Sequence, residues 1–212
     1  EIQELCSEYN LILIEDAAES LGSYYKNRHT GLFGKIGTVS FNGNKIITTG
    51  GGGMIITDDG DIAKSARHLT TTAKIHHPWL FLHDEVGYNY RMPNINAALG
   101  CAQLEVIDDY IQRKRELADQ YHSWFQRKGY EVYREPTGAK SNYWINAFLT
   151  HNRDERYTIL KYTNQNKVMT RPAWTPMHTL EMYKDNLRIN LSNTEWLEDH
   201  MVQIPSSAFN PL

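Results

Sequence analysis

The chain has 212 residues, 41% hydrophobic and 22% charged, with a formal net charge of −3, which is the balance of a soluble globular protein with one large domain or two small ones. Its basic residues are scattered, so charge makes no case for nucleic acid, and no run approaches the roughly 18 apolar residues of a membrane helix. The opening EIQELCSEYN has no basic region ahead of an apolar stretch, and the two cysteines, Cys6 and Cys101, lie far apart without metal-type spacing, so a reduced, cytoplasmic protein is expected.

Residues 1–9 read as the tail of a helix (Ile2, Leu5, Cys6) that runs into the apolar residues 11–14. That run predicts a strand buried on both faces, as parallel sheets require. A chain that starts with Glu1 at such a place is expected to lack an N-terminal part of its natural protein and to leave an unpaired apolar sheet edge. The run ends in Glu15-Asp16-Ala17-Ala18-Glu19-Ser20, and glycines 22, 31 and 34 mark the loop that follows. Residues 38–41 and 53–57 predict two further strands, with Lys45 and four consecutive glycines, Gly50 to Gly53, between them. Asp58, Asp59 and Asp61 supply caps for a helix over 62–74. Strands alternating with helices predict an α/β layer architecture with a parallel or mixed sheet.

Residues 76–90 are irregular and aromatic-rich, as functional or interfacial loops are. Ile95, Ala98, Leu99, Ala102 and Val106 then fall at helical spacing as a narrow small-residue face, and Ile111, Leu117, Tyr121, Trp124 and Phe125 mark a second amphipathic helix that Gly129 stops. Strands over 130–133 and 143–149, a helix over 154–166, a Pro/Trp segment (TRPAWTPMH) and a short helix over 194–201 complete the chain. The division this suggests is a partial large α/β domain over 1–109 and a smaller α+β domain over 110–212.

Asp16 stands at the carboxyl end of a strand, where open α/β sheets place ligands. Two readings are open: a cap for a following helix, or a carboxylate that keeps a ring nitrogen protonated, as a pyridoxal cofactor needs. Glu19 and Ser20 follow at spacings that face the same pocket. Ser40, beside Asn42 and Asn44, is either a plain strand residue or a donor to a phosphate oxygen. Lys45 is the decisive residue. It sits between β-branched flanks and among small residues, surroundings that strip an amine of water and favour the free base able to form a Schiff base. A phosphate loop is excluded by order, because its glycines precede the lysine and a hydroxyl follows it. No G-x-G-x-x-G follows a strand, and His76, His77 and His83 lack metal-ligand spacing, so no metal site is expected.

Three motifs, EDAAES at 15–20, SFNGNK at 40–45 and GYNYRMPNINAALGCAQL at 87–104, together with the IPSS tail at 204–207, resemble the DegT/DnrJ/EryC1/StrS sugar-nucleotide aminotransferases. The resemblance covers nearly the whole chain and implies the aspartate-aminotransferase-like fold of pyridoxal-phosphate enzymes (fold type I), represented by the C-terminal part of the large domain plus the small domain. The FNGNKIITTGGGG wording is similar to UDP-4-keto-6-deoxy-N-acetylhexosamine 4-aminotransferases of legionaminate and bacillosamine synthesis, with perosamine synthases as neighbours.

The resemblance further implies that Lys45 forms the Schiff base and moves protons, and that Asp16 pairs with the ring nitrogen. Glu19, where many relatives have Gln, lies near the ring oxygen, and Ser40 holds the phosphate. Asn89 reaches that phosphate from the other subunit of a homodimer with a shared active site. Arg91, Arg171, His178 and Lys26 are candidates for holding the sugar nucleotide. The implied reaction takes an amino group from glutamate to a 4-keto-6-deoxy sugar nucleotide, UDP- or GDP-linked, in bacterial surface-glycan synthesis. A family member also carries a preceding segment with a Gly/Thr turn and a cofactor-stacking aromatic, which these 212 residues do not include. The alternatives are a non-catalytic or truncated homologue that keeps the dimer surface, and a sugar dehydratase, against which Lys45 speaks because dehydratase relatives replace it with histidine.

Overall fold

The structure, a computed structural model, describes residues 1–207 and divides into two compact units, Glu1–Ile111 with Thr137–Asn142, and Gln112–Pro136 with Tyr143 onward. In chain order the first unit holds α1 (Ile2–Glu8), β1 (Ile14–Asp16), β2 (Tyr24–Tyr25), β3 (Arg28–His29), β4 (Ile36–Ser40), β5 (Gly53–Ile56), α2 (Gly60–Thr70), β6 (Lys74–Ile75), β7 (Leu82–His83) and α3 (Asn94–Leu104). The helix α4 (Ile107–Arg127) begins there and contributes the rest of its length to the second unit.

The central sheet of the first unit is mixed. β1 runs parallel to β4, with Ile14 opposite Ile36 and Asp16 opposite Thr38, and β5 returns antiparallel, with Ser40 opposite Gly53. Parallel pairing puts the carboxyl ends of β1 and β4 at one edge of the sheet, and Asp16 and Ser40 are their last residues. Val39, Phe41, Ile46 and Ile47 form the buried interior beside that edge.

The strand expected over 11–14 lies two to three residues later, and its apolar residues are not buried: Ile12 is 76% and Ile14 60% exposed. The reason is position. β1 has β4 as its one neighbour in a sheet ordered β1-β4-β5, so the layers that would cover an interior strand are not supplied from within these residues. Helix α2 begins as expected, with the Asp59 carboxylate accepting from Asp61 N (3.0 Å) and Ile62 N (3.1 Å). It stops at Thr70, short of residue 74, because Thr72 and Ala73 adopt left-handed backbone conformations (φ 69° and 49°) that a helix cannot continue through.

Further along lie β8 (Glu131–Val132), β9 (Ala139–Lys140), β10 (Asn146–Leu149), α5 (Arg153–Gln165), β11 (Arg171–Pro172), α6 (Ser192–His200) and β12 (Met201–Ile204). β9 belongs to the first unit and pairs with β2. The others build the second unit around an antiparallel sheet ordered β11-β12-β10-β8. Its core is Phe148, Val202 and Ile204, closed by Phe125 stacked on Phe148 (centroids 4.2 Å apart) and by Tyr130, Ile159 and Leu160. The strand expected from 143 starts at Asn146, since Tyr143 is itself left-handed (φ 45°). Among the described residues no helix is long and apolar enough to cross a membrane.

Candidate active site

The site is built where β1 and β4 end. Asp16 closes β1, and its Oδ1 accepts from Ala18 N (3.1 Å), a turn within the loop. No helix begins there, since the next one is α2 at Gly60, so the cap reading gives way to an exposed carboxylate at the strand end. The loop that follows is pinned by Asn142, a buried residue whose Nδ2 donates to the carbonyls of Glu19 (2.8 Å) and Leu21 (3.0 Å) and whose backbone N–H donates to Ser23 Oγ (3.0 Å). Ser20 is drawn into the loop rather than toward the site: Thr30 Oγ1 donates to its hydroxyl at 2.8 Å.

On the second strand, Ser40 Oγ accepts from Asn42 N (3.2 Å), which leaves its O–H to donate elsewhere. The chain then turns, Lys45 N donating to Asn42 O (3.1 Å), and the Lys45 side chain, 12% exposed, runs to the first loop. There Lys45 Nζ forms an ion pair with Glu19 Oε1. Ile46 and Ile47 bury themselves beside it. Lys45 and Glu19 are therefore in direct contact, while Asp16 and Ser40 are the last residues of the parallel strands β1 and β4.

What holds the lysine loop was not read from the sequence. Gln103 grips the backbone of Thr48 from both sides, its Oε1 accepting from Thr48 N (3.0 Å) and its Nε2 donating to Thr48 O (2.6 Å). Asn96 Nδ2 donates to Thr49 O at 2.5 Å. Between them in α3, Gly100 leaves the space that the loop needs: a Cβ there would stand 2.9 Å from Thr49 Cγ2. The loop adds its own bonds, Thr49 N to Phe41 O (3.0 Å) and Gly50 N to Thr48 Oγ1 (2.9 Å). Asn96, Gly100 and Gln103 are spaced i, i+4, i+7, one face of the helix, and that polar and small stripe was the available signal. The expected apolar face of α3 points the other way, Ile95 being 85% exposed, because an irregular loop needs donors and acceptors for its backbone rather than methyl groups. Glu15 was likewise overlooked. Its two carboxylate oxygens accept from Gly31 N (2.8 Å) and Gly34 N (2.6 Å) and shape the loop between β3 and β4.

The remaining expected residues are placed separately. Asn89 is exposed and bridges Thr71, and Arg91 is exposed two residues on. Lys26 lies between β2 and β3 with its ammonium 5.3 Å from the centre of the Tyr25 ring. In the second unit, Arg171 is exposed in β11, and His178 pairs through Nε2 with Glu195 Oε1 (2.9 Å).

Against known proteins, the chain is 42% identical over 185 residues to GDP-perosamine synthase of Escherichia coli O157:H7, a match covering 87% of this chain and 50% of that protein. It is 36% identical over 185 residues to GDP-perosamine synthase of Vibrio cholerae, covering 86% and 50%. The chain thus spans about half the length of the curated relatives it matches. Among solved structures, the aminotransferase TlmJ of Streptoalloteichus hindustanus superposes with a TM-score of 0.91 at 26% identity, over 99% of this chain and 57% of that one. Helicobacter pylori PseC, an aminotransferase involved in pseudoaminic acid biosynthesis, shares the fold with a TM-score of 0.89 at 23% identity, over 98% and 57%. The mixed α/β fold is that of the sugar aminotransferases. A family model for the DegT/DnrJ/EryC1/StrS aminotransferases matches residues 1–209, and the chain belongs to that family.

Proposed function

We propose that the protein transfers an amino group from glutamate to a 4-keto-6-deoxy sugar nucleotide, UDP- or GDP-linked, using pyridoxal phosphate, for bacterial surface glycans made in the cytoplasm. One observation carries this reading: the Lys45 amine is held by Glu19 at the edge where the parallel strands β1 and β4 end, with Asp16 closing one strand and Ser40 the other. The donor set fits the cofactor. The aldehyde requires an amine, the ring nitrogen a carboxylate and the phosphate hydroxyl or amide donors, and Lys45, Asp16 and Ser40 offer these at one edge.

When bound, the cofactor supplies an electron sink that makes a carbon–hydrogen bond beside the transferred nitrogen acidic. In this reading Lys45 Nζ takes that proton and returns it to the neighbouring position, a general-base and general-acid role. Glu19 holds the ammonium in place while it carries the proton. Asp16 keeps a proton on the ring nitrogen, and Ser40 Oγ–H donates to the phosphate. The grip of Gln103 and Asn96 on Thr48 and Thr49 keeps the lysine loop from drifting, which matters because proton transfer needs donor and acceptor within hydrogen-bond reach. Asn89 reaches the phosphate from the partner subunit of a homodimer. Arg91, Arg171, His178 and Lys26 seat the substrate, and the chain's similarity to GDP-perosamine synthases supports a nucleotide-linked sugar in that seat. Residues 1–109 are read as the large cofactor-binding domain, which also takes in β9 through its pairing with β2, and the rest of 110–212 as the small one.

The test is borohydride treatment in the presence of pyridoxal phosphate, followed by peptide mapping. The added cofactor mass is expected on the peptide carrying Lys45 and is absent in Lys45→Ala. Label on other lysines alone, or none, overturns the reading in favour of a non-catalytic homologue.

A further inference from the structure

The aromatic loop between α2 and α3 is not loosely draped. Its second half is bound to the end of α2 by a ladder of backbone hydrogen bonds: Tyr88 N donates to Leu69 O (2.7 Å), Tyr90 N to Thr70 O (3.0 Å) and Thr72 N to Tyr88 O (3.0 Å), with Asn89 bridging Thr71. Gly87 lies so close to the turn that a Cβ there would come within 2.4 Å of Ala73 N. The turn itself is strained, since two successive non-glycine residues, Thr72 and Ala73, are left-handed, a conformation in which Cβ crowds the following carbonyl oxygen. Strain of that kind persists where the surroundings over-determine it.

His68 grips this turn from two sides. Its carbonyl accepts from both Thr71 N (3.1 Å) and Ala73 N (2.9 Å). Its ring Nε2 meets Asp84 Oδ1 at 2.6 Å and Glu85 Oε1 at 3.7 Å, on the segment that carries the ladder. The hydrogen bond from His68 holds the Asp84 carboxyl below the usual carboxylate range. These three side chains bring their donor atoms within 4.8 Å of one another, a grouping that a divalent cation would use. Lys64 and Arg67 line the same depression, together with Asp61, and oppose a cation there, so the cluster is read as a hydrogen-bonded clasp.

We propose that His68 is a positioning residue: by pairing with Asp84 and Glu85 it locks segment 83–91 onto the end of α2 and so sets how Asn89 and Arg91 are presented. The link to catalysis rests on the proposed phosphate contact of Asn89; the lock itself does not.

The test has two arms. In the first, amide hydrogen exchange is followed at Tyr88 and Tyr90, with the Thr49 amide as internal control. His68→Ala is expected to speed exchange at both tyrosines by about tenfold and to leave Thr49 unchanged, with His68→Gln, which keeps a donor toward Asp84, restoring most of the protection. Asp84→Ala, which removes the acceptor at an exposed position where folding is not at risk, is expected to act in the same direction. Unchanged exchange at Tyr88 and Tyr90 in both His68→Ala and Asp84→Ala overturns the lock. In the second arm, pyridoxal phosphate affinity is measured in a double-mutant cycle, where His68→Ala and Asn89→Ala are each expected to weaken binding by about five- to tenfold and the double variant to be no weaker than Asn89→Ala. Additive losses overturn action through Asn89. Wild-type affinity in Asn89→Ala overturns the phosphate role of Asn89, and the exchange result then decides the lock alone.

Discussion

In the second unit an antiparallel sheet closes over Phe148, Val202 and Ile204, and aromatic rings from α4 and the neighbouring loop seal it. The first unit is held differently around its lysine loop. Ile12, Ile14, Ile95 and Leu99 stand in solvent, while the backbone of the lysine loop is held by Gln103, Asn96 and its own threonines. Both units bury apolar side chains, the first around Val39, Phe41, Ile46 and Ile47, but only in the first is an irregular loop also held by side-chain hydrogen bonds to its backbone from a helix, Gln103 and Asn96 on Thr48 and Thr49. The difference teaches where function sits. A loop that must hold an amine in one place cannot rely on non-directional apolar contact, whereas hydrogen bonds fix both distance and angle.

Truncating the sealed core is the largest expected effect: Phe148→Ala should cost the second unit about 3–5 kcal/mol, seen as a lowered denaturant midpoint with the slope unchanged. Near-normal stability in that variant would mean that the ring stack contributes little and would break the contrast. The next effect is electrostatic. Lys114 is buried in the second unit, its ammonium directed at the carbonyls of Tyr143 (3.5 Å), Trp144 (3.3 Å) and Ser206, and burial lowers its pKa from 10.5 to about 8. The folded state then favours the neutral amine, so between those two values the unfolded chain binds more protons and stability rises with pH. Below about pH 8 this contribution is lost. Thermal or urea unfolding followed from pH 8 to 10.5 should show a gain on the order of 2 kcal/mol from this group, absent in Lys114→Met.

The two faces of α3 supply the smallest and most discriminating comparison. Gln103→Ala removes both bonds to Thr48 and should cost about 1–2 kcal/mol, with faster amide exchange at Thr48. Ile95→Ala on the opposite face should change the stability of this chain by no more than about 0.5 kcal/mol. A large cost at Ile95 would show that this face is already covered in solution and would sharpen the contrast into one about assembly.

Part of the candidate site was legible before any coordinates. Asp16 was singled out because it ends an apolar strand, where a sheet offers side chains to a ligand, and Lys45 because it stands between β-branched flanks and among small residues. The support of that site was less legible. Gln103 and Asn96 sit in a helix whose apolar residues draw attention away from the polar and small stripe they form with Gly100, the one local sign of the face that meets the glycine loop. Composition misplaced the first strand: residues 11–14 are apolar enough for an interior position, but β1 has a single neighbour. Helix α2 was right at its start, where the Asp59 cap is a local interaction, and too long at its end, where the turn at Thr72 and Ala73 is held by a segment more than ten residues away.

The sequence by itself determined the order of elements, the cap of α2 and the chemical kinds of the site residues, because hydrophobic period, capping and motif spacing act over a few residues. Only the tertiary structure decided that the Lys45 amine meets Glu19, that Gln103 holds Thr48 and that His68 clasps Asp84. Those contacts join residues 16 to 55 positions apart, and such pairings depend on which strand ends and helix faces packing brings together, not on any property of the residues taken locally.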